Sequence, residues 1–403
     1  METKTQLSFL TLLLMISFAS VNAVLFTPAL PAIASFFAIS TACAQQTITW
    51  FLVGYAMGQL IYGPLANRFG RKPALYFGIL LQILSSCICV YSGIFHVYSV
   101  LLVGRFLLAL GSGVGLKMTF TLINETSDPV KANQKISYLM IAFAITPGLG
   151  VMIGGILNTY FGWQSTFYAG AIYGIILLYL VRKLPETKKI VDKNALKIKY
   201  LINGYGSQVK NLELISGGML MGGATCFVYV FAALAPFIAI NKLQMNSSSY
   251  GIANLIPPIG LVLGSLCSAQ FAKKYHSTSM IRSGIYIALV GSIMMLTFIL
   301  MNMSALFILF ISMMISYFGL SLVFANASTI AMCHATDKAH ASAVMNFINM
   351  GFVTLVVLGL GLLPNHVLLM PSIFICICGF MFFLFKLIVK RENNNGLCTL
   401  QAR

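Results

Sequence analysis

The pattern of hydrophobic and polar positions along the chain is a series of long apolar runs separated by short polar stretches. An apolar run of about 20 residues is long enough to cross a bilayer as a helix. We count twelve such runs, at 7–31, 46–66, 74–94, 98–121, 136–157, 164–182, 211–239, 249–272, 282–301, 304–327, 341–363 and 371–389. The pattern therefore predicts an all-α membrane protein with twelve transmembrane helices.

The longest polar stretch, rich in lysine, divides these spans into two groups of six. We predict an N-terminal six-helix half at 1–182, a cytoplasmic basic linker at 183–210, a C-terminal six-helix half at 211–389 and a cytoplasmic tail at 390–403. A layout of two related halves is a known arrangement of secondary transporters.

The composition supports a membrane protein and raises one further question, the net charge. Of the 403 residues 59% are hydrophobic and 8% charged, whereas a soluble domain carries about 25% charged residues. The net charge of +17 could indicate nucleic-acid binding. Such binding needs a basic face on a soluble fold, which so apolar a chain does not offer. We therefore predict that the chain contacts the lipid bilayer and no nucleic acid.

The positions of the basic residues predict the orientation in the membrane. If the N-terminus is cytoplasmic, every lysine and arginine except Lys242, Arg105 and Lys117 falls in a cytoplasmic loop or tail. This bias is typical of cytoplasmic loops, so we predict that both termini are cytoplasmic. The first run could instead be a signal peptide cleaved after "SVNA" at 20–23. The apolar run continues beyond that site, which favours a retained span.

The segment "GPLANRFGRKP" at 63–73 places a basic stretch between the second and third spans. Its glycines permit tight turns and close helix approach, and its prolines, Pro64 and Pro73, are expected at helix ends. On charge alone it is an ordinary cytoplasmic loop. Its spacing resembles the loop between spans two and three of the major facilitator superfamily. That resemblance implies a gating loop made of Gly63, Pro64, Asn67, Arg68, Gly70, Arg71 and Lys72.

The resemblance extends along most of the chain. It rests on "TPALPAIA" at 27–34, "YAMGQLIYGPLANRFGRKP" at 55–73, "LLVGRFLLALGSG" at 101–113, "ITPGLGVMIGGIL" at 145–157, "FGWQSTF" at 161–167, "ALAPFIA" at 233–239 and "VFANASTIAM" at 323–332. In order and spacing these resemble the twelve-span drug:proton antiporters of the bicyclomycin/chloramphenicol resistance branch. In span five the resemblance implies a gate made of Pro147, Gly150, Gly154 and Gly155.

The chain departs from this branch at acidic positions. Asn67 stands where an aspartate is usual, which implies a weaker cytoplasmic latch, and Val24 stands where span one often carries an acid. Span five reads Gly150-Val151 where a glycine-proline pair is common. All eight acids lie in loops, tails or span edges, at Glu2, Glu125, Asp128, Glu186, Asp192, Glu213, Asp337 and Glu392. The usual proton carrier of the branch is therefore missing.

Two basic residues, Arg105 and Lys117, lie well inside the fourth span, where a charge is costly and suggests a function. Their separation of 12 residues corresponds to about 18 Å along an ideal helix and about 120° around it. Arg105 could bond backbone carbonyls or, as the resemblance implies, serve a central cavity. Lys117 could snorkel to the cytoplasmic surface or carry the transported proton. The polar residues Asn22, Gln59, Asn254 and Asn326 could line the cavity or join helices.

These observations predict a secondary active transporter that moves small molecules across a bacterial inner membrane by alternating access, as a drug or metabolite exporter coupled to protons. The alternatives are a transporter of anionic metabolites or siderophores with other or no proton coupling, and a transport-inactive membrane receptor. We find no ATP-binding motif and no catalytic constellation inside the spans, so we predict no cofactor, no metal site and no enzyme activity. We also predict no disulfide among the nine cysteines.

Overall fold

The computed structural model describes residues 8–188, 192, 195–272, 274–333, 338–363 and 366–395, and these residues form helices and turns without a strand. The first part of the chain forms α1 (Phe9–Val24), α2 (Leu30–Phe36), α3 (Thr41–Phe69), α4 (Arg71–Ile94), α5 (Tyr98–Ser112), α6 (Val114–Thr126), α7 (Pro129–Phe161) and α8 (Gln164–Val181). The second part forms α9 (Ile198–Val209), α10 (Leu212–Pro236), α11 (Ser247–Ala253), α12 (Ile256–Phe271), α13 (Ser277–Leu300), α14 (Ser312–Met332), α15 (Lys338–Leu360) and α16 (Leu369–Asn395).

Among the described residues, 11 helical segments are long and apolar enough to cross a membrane. The chain is therefore a multi-pass membrane protein. The predicted second span, 46–66, lies within the 29-residue helix α3, which is not one of the 11. It is less apolar than the others because it carries glutamines, threonines and a terminal arginine. The count of twelve spans stays a prediction.

The chain divides into two compact units, Met1–Gly204 and Tyr205–Arg403. The division falls inside the stretch that we predict to be a linker, and within helix α9. In the first unit, helices α1, α4, α6, α7 and α8 enclose a core of buried apolar side chains that includes Met15, Ile79 and Leu177. The first unit also holds both basic residues of the predicted fourth span.

The first span is broken inside the membrane segment Phe9–Phe36. Helix α1 ends at Val24, a 3₁₀ turn covers Thr27–Ala29, and α2 starts at Leu30. Two prolines in this stretch, Pro28 and Pro31, have no backbone N–H to continue an α-helix. The break leaves carbonyls at the end of α1 that need donors, since a bilayer supplies none. The Thr27 hydroxyl meets one of them by donating to the carbonyl of Val24 at 2.8 Å.

The fourth span is also interrupted, at Gly113 between α5 and α6. Gly113 keeps helical dihedral angles, with φ of −59° and ψ of −16°, and its N–H donates to the carbonyl of Ala109, so the interruption is slight. Each residue lies on its own helix, Arg105 on α5 and Lys117 on α6.

The predicted loop at 63–73 is almost entirely helical. Pro64 lies inside α3 rather than at its end, so that part of the prediction is wrong. A membrane helix tolerates such a proline when other groups satisfy the freed carbonyl. Pro73 lies in the first turn of α4. The turn between the two helices is Gly70 alone, with φ of 106°, a conformation that favours glycine.

The cysteines of the described ranges follow the prediction with one exception. Seven of them are free, among them the buried Cys89, Cys226 and Cys378, as expected of small packing residues. Cys333 is disulfide-bonded, so the prediction of no disulfide is wrong at this position. Cys333 follows the end of α14, on the side that the basic residues predict to be cytoplasmic.

Candidate functional site

Arg105 is held on every side by backbone and aromatic groups. Its exposed fraction is 1%. Its Nη1 donates to the carbonyl of Asn22 at 2.9 Å and its Nε donates to the carbonyl of Thr47 at 3.3 Å. The guanidinium carbon lies 3.8 Å from the ring centre of Phe26 and 4.4 Å from that of Phe51. These are cation–π distances, which stabilise a cation removed from water.

The bond to Asn22 explains how the broken first span is stabilised. Asn22 lies in the last turn of α1, where the carbonyls have no intrahelical donor. A cation at a helix C-terminus also interacts favourably with the helix dipole. Arg105 therefore caps α1 from the fourth span and ties it to α3 through Thr47. Of the two alternatives predicted for Arg105, these contacts correspond to the one in which it bonds backbone carbonyls.

Lys117 has much simpler surroundings. Its Nζ donates to the carbonyl of Gln59 on α3 at 3.0 Å. A Cβ atom added at Gly63, one turn further along α3, would lie 2.8 Å from the same Nζ. Among the described residues no ion pair includes Lys117, and the nearest acid along the chain is Glu125. The amine therefore reaches back to α3 and rests against a glycine.

Gln59 and Tyr55 form a buried polar strip on α3, and Gln59 connects it to the amine of Lys117. Gln59 is 4% exposed, its carbonyl accepts from Lys117, and its Nε2 has no hydrogen-bond partner. Tyr55, one turn earlier on the same helix, is also buried, with 8% of its surface exposed. Tyr55, Gln59 and Lys117 thus place a hydroxyl, an amide and an amine together in the first unit.

Asn22 takes part in a second buried network. Its Nδ2 donates to the carbonyl of Phe18 at 2.8 Å, and its Oδ1 accepts from Gln82 Nε2 on α4 at 2.9 Å. Gln82 Nε2 also lies 3.0 Å from Ser86 Oγ and 3.1 Å from the carbonyl of Gly170 on α8. These contacts join α1, α4 and α8, so Asn22 serves as an interhelical link.

The basic segment contains an ion pair between Arg71 and Glu125. Arg71 donates through Nη2 to Glu125 Oε1 at 2.6 Å and through Nε to the same carboxylate at 3.2 Å. Its Nη1 donates to Asn67 Oδ1 at 2.8 Å. Asn67 keeps the hydrogen bond of the usual aspartate, while Glu125, at the end of α6, supplies the charge.

A second carboxylate, Glu186, caps the start of α4. It accepts from the backbone N–H groups of Arg71 and Lys72, each at 2.9 Å. These are N-terminal donors of a helix, which favour a negative partner. A Cβ at Gly70 would lie 2.7 Å from Glu186 Oε2, so the turn needs a glycine for space as well as for conformation. Arg68 lies outside this group, with its guanidinium 5.5 Å from the ring of Phe69.

The predicted gate residues of span five lie on α7 against the broken first span. A Cβ at Gly154 would lie 1.7 Å from the carbonyl oxygen of Leu25, and one at Gly150 would lie 2.9 Å from Val24 Cγ2. Gly155 is buried, and its carbonyl accepts from Thr159 at 2.9 Å. Pro147 lies within α7 and does not end it. This face of α7 therefore packs tightly on the break.

Two candidate residues, Asn254 and Asn326, belong to the second unit. Asn326 Nδ2 donates to the carbonyl of Leu322 at 2.8 Å and to Ser268 Oγ on α12 at 3.2 Å, which joins α14 to α12. Asn254 follows α11, and its backbone N–H donates to the carbonyl of the buried Tyr250 at 3.1 Å. Its Nδ2 has no hydrogen-bond partner. Within the described ranges no group of three His, Cys, Asp or Glu residues could hold a metal ion.

Several residues that shape these sites were missed by the sequence argument. Glu125 and Glu186 were recognised only as acids near span ends, and Gln82 was not singled out. An acid at the cytoplasmic end of span four, set against an arginine-rich turn, is the signal that could have identified Glu125. Gln82 carries no such signal, because one amide in an apolar run does not reveal its partners.

Comparison with known proteins agrees with the resemblance. A sequence model of the Major Facilitator Superfamily matches residues 10–359. An uncharacterised transporter of Rickettsia felis is 27% identical over 253 residues, which are 62% of this chain and 61% of that protein. The chloramphenicol resistance protein CraA of Acinetobacter baumannii is 24% identical over 78% of this chain and 76% of its own length.

The fold is also that of a solved transporter. The crystal structure of a D-xylose-proton symporter superposes with a TM-score of 0.75 and 16% sequence identity, covering 94% of this chain and 96% of that one. An identity this low bears on the fold alone. The relatives confirm the resemblance to the drug:proton antiporters.

Proposed function

Because the chain belongs to the Major Facilitator Superfamily, we propose that it is a proton-coupled exporter of small neutral or anionic molecules in a bacterial inner membrane. The termini are cytoplasmic, as the distribution of basic residues predicts. The two halves expose a site to one side of the membrane at a time. The names of its relatives, which include a chloramphenicol resistance protein, support export of drug-like compounds.

The observation that carries the proposal is the position of Lys117. Its amine is half-buried against a carbonyl of α3, with no carboxylate in an ion pair with it among the described residues. A charge in this position is costly, and the carbonyl of Gln59 does not neutralise it. Releasing the proton removes that cost. Lys117 therefore takes the coupling role for which the family resemblance leads one to expect a buried acid.

The substrate class follows from the charges of the predicted spans. Arg105 and Lys117 are the charges well inside them, and all eight acids are elsewhere. A positive potential repels organic cations and accepts anions or neutral polar compounds. The strip of Tyr55, Gln59 and Lys117 offers donors to carbonyl, nitro or carboxylate oxygens. Chloramphenicol-like compounds and small carboxylates fit this chemistry.

The test is transport by the purified protein in proteoliposomes under an imposed pH gradient. Three compounds are compared, an ethidium-like cation, a neutral phenicol and a polycarboxylate. We expect gradient-driven flux of the phenicol or the polycarboxylate and little flux of the cation. Efficient cation flux would contradict the proposed substrate class. Absence of any flux for a wide panel would favour the transport-inactive receptor.

A further inference from the structure

A small cavity in the first unit lies beside the buried network of Asn22 and Gln82. Its volume is about 10 Å³, and it is bordered by Arg105, by the aromatic rings of Phe26 and Phe167, and by polar groups of α1, α4 and α8. The polar groups are those of Asn22, Ser86 and Thr166. All three side chains are at least nine-tenths buried.

The volume and the lining together indicate what the cavity holds. A water molecule needs about 10–15 Å³ and two to four polar partners, whereas apolar cavities stay empty. This cavity meets both conditions, and it is too small for a drug-like substrate, since ligand pockets have volumes of about 300 Å³ or more. We propose that it is a binding site for a single structural water molecule.

The hydrogen bonds of the three polar side chains leave places for this water. Ser86 Oγ accepts from Gln82 Nε2 at 3.0 Å, and its own hydroxyl proton is not used in any described hydrogen bond. Thr166 Oγ1 donates to the carbonyl of Trp163 at 2.7 Å and keeps lone pairs. Asn22 Oδ1 accepts one bond and can accept a second. A water that accepts from Ser86 and donates to Thr166 and Asn22 satisfies all three.

Gly170 of α8 keeps this space open. A Cβ added there would lie 3.2 Å from Asn22 Oδ1 and 3.6 Å from both Gln82 Nε2 and Ser86 Oγ. A methyl group therefore fits after a small shift and takes space next to the water's partners. The water joins α1 to α8 at the turn of α1 whose carbonyl Arg105 caps. The broken first span is therefore held by the Arg105 bond and also by a water molecule, which can exchange with other water molecules.

The experiment is radiolytic hydroxyl-radical footprinting of the full-length protein in nanodiscs, read by mass spectrometry. Radicals formed from a bound water oxidise the side chains next to it. Phe26 and Phe167 are 1% and 3% exposed, so surface water does not reach them. Phe18 and Phe227, both 0% exposed and absent from the cavity lining, serve as the comparison. We expect oxidation of Phe26 and Phe167 to be several-fold faster than that of Phe18 and Phe227.

Two variants locate the water. Gly170→Ala reduces the space, and Thr166→Val removes a partner while keeping the shape of the side chain. Each is expected to lower the oxidation of Phe26 and Phe167 to the level of Phe18. Thr159→Val is the matched control, since its hydroxyl bonds a helix carbonyl at 2.9 Å away from the cavity, and it should change nothing. Equal oxidation of all four phenylalanines in the wild type, or oxidation of Phe26 that persists in both variants, would overturn the proposal.

Discussion

Arg105 and Lys117 belong to the same predicted span, yet their surroundings differ completely. Arg105 bonds two carbonyls on two helices and lies between two rings. Lys117 bonds one carbonyl, next to a glycine. The planar guanidinium suits several fixed partners, whereas an ammonium is a compact charge that can lose its proton. The comparison suggests that Arg105 holds the first span and that Lys117 acts in coupling.

The largest expected effect, a loss of stability, comes from replacing Arg105. Arg105→Ala leaves the carbonyl of Asn22, at the end of α1, without its donor, and a buried unsatisfied acceptor costs about 1–3 kcal/mol. The carbonyl of Thr47 lies inside α3 and loses only a second partner, so we expect a free-energy loss of at least roughly 1–3 kcal/mol, seen as a clear drop in melting temperature in detergent. Arg105→Lys should restore little of the lost stability, because an ammonium does not reproduce the planar, multi-donor geometry of a guanidinium.

A cation on the protein surface provides the control for this prediction. Arg282→Ala removes an exposed guanidinium and should leave the melting temperature nearly unchanged. If Arg105→Ala melted like Arg282→Ala, the role of Arg105 in holding α1 would be wrong.

A smaller effect is expected from a substitution that moves the amine of Lys117. Gly63→Ala places a methyl group 2.8 Å from Lys117 Nζ, so the amine must shift away from Gln59. We expect transport to fall several-fold with little change in melting temperature, because Nζ is the end of a flexible side chain. In a Lys117→Ala background the same substitution should have no further effect. Gly206→Ala, which meets nothing within 4 Å, is the matched control.

The smallest effect concerns the partly exposed ion pair of Arg71 and Glu125, whose side-chain exposures are 10% and 30%. Glu125→Gln keeps the shape but removes the charge, and we expect a loss of about 1 kcal/mol or less, measurable as a small shift in melting temperature. Asp128→Asn weakens a more exposed pair with Lys131 at 3.9 Å and should have no measurable effect. An equal response of both variants would mean that the charge of Glu125 does not stabilise the turn at Asn67 and Arg71.

The sequence predicted the membrane character, because long apolar runs are visible along the chain, and the family, because several motifs occur in the expected order. It placed Pro64 at a helix end because it took each proline as a helix boundary, whereas the neighbouring residues continue α3 to Phe69. It also left open whether Arg105 bonds backbone. The partners of Arg105 lie 58 and 83 residues away along the chain, and only folding brings them together.

The most direct test of the account is the pH dependence of substrate flux in proteoliposomes, compared between the wild type and Lys117→Met. Methionine keeps the length of the side chain and removes the ionisable group. Lys242→Met, at an exposed lysine on the predicted outer side, is the control. We predict that gradient-driven transport disappears in Lys117→Met, while downhill flux without a pH gradient persists and Lys242→Met behaves as the wild type. Unchanged gradient-driven transport in Lys117→Met would contradict the assignment of Lys117 as the coupling residue.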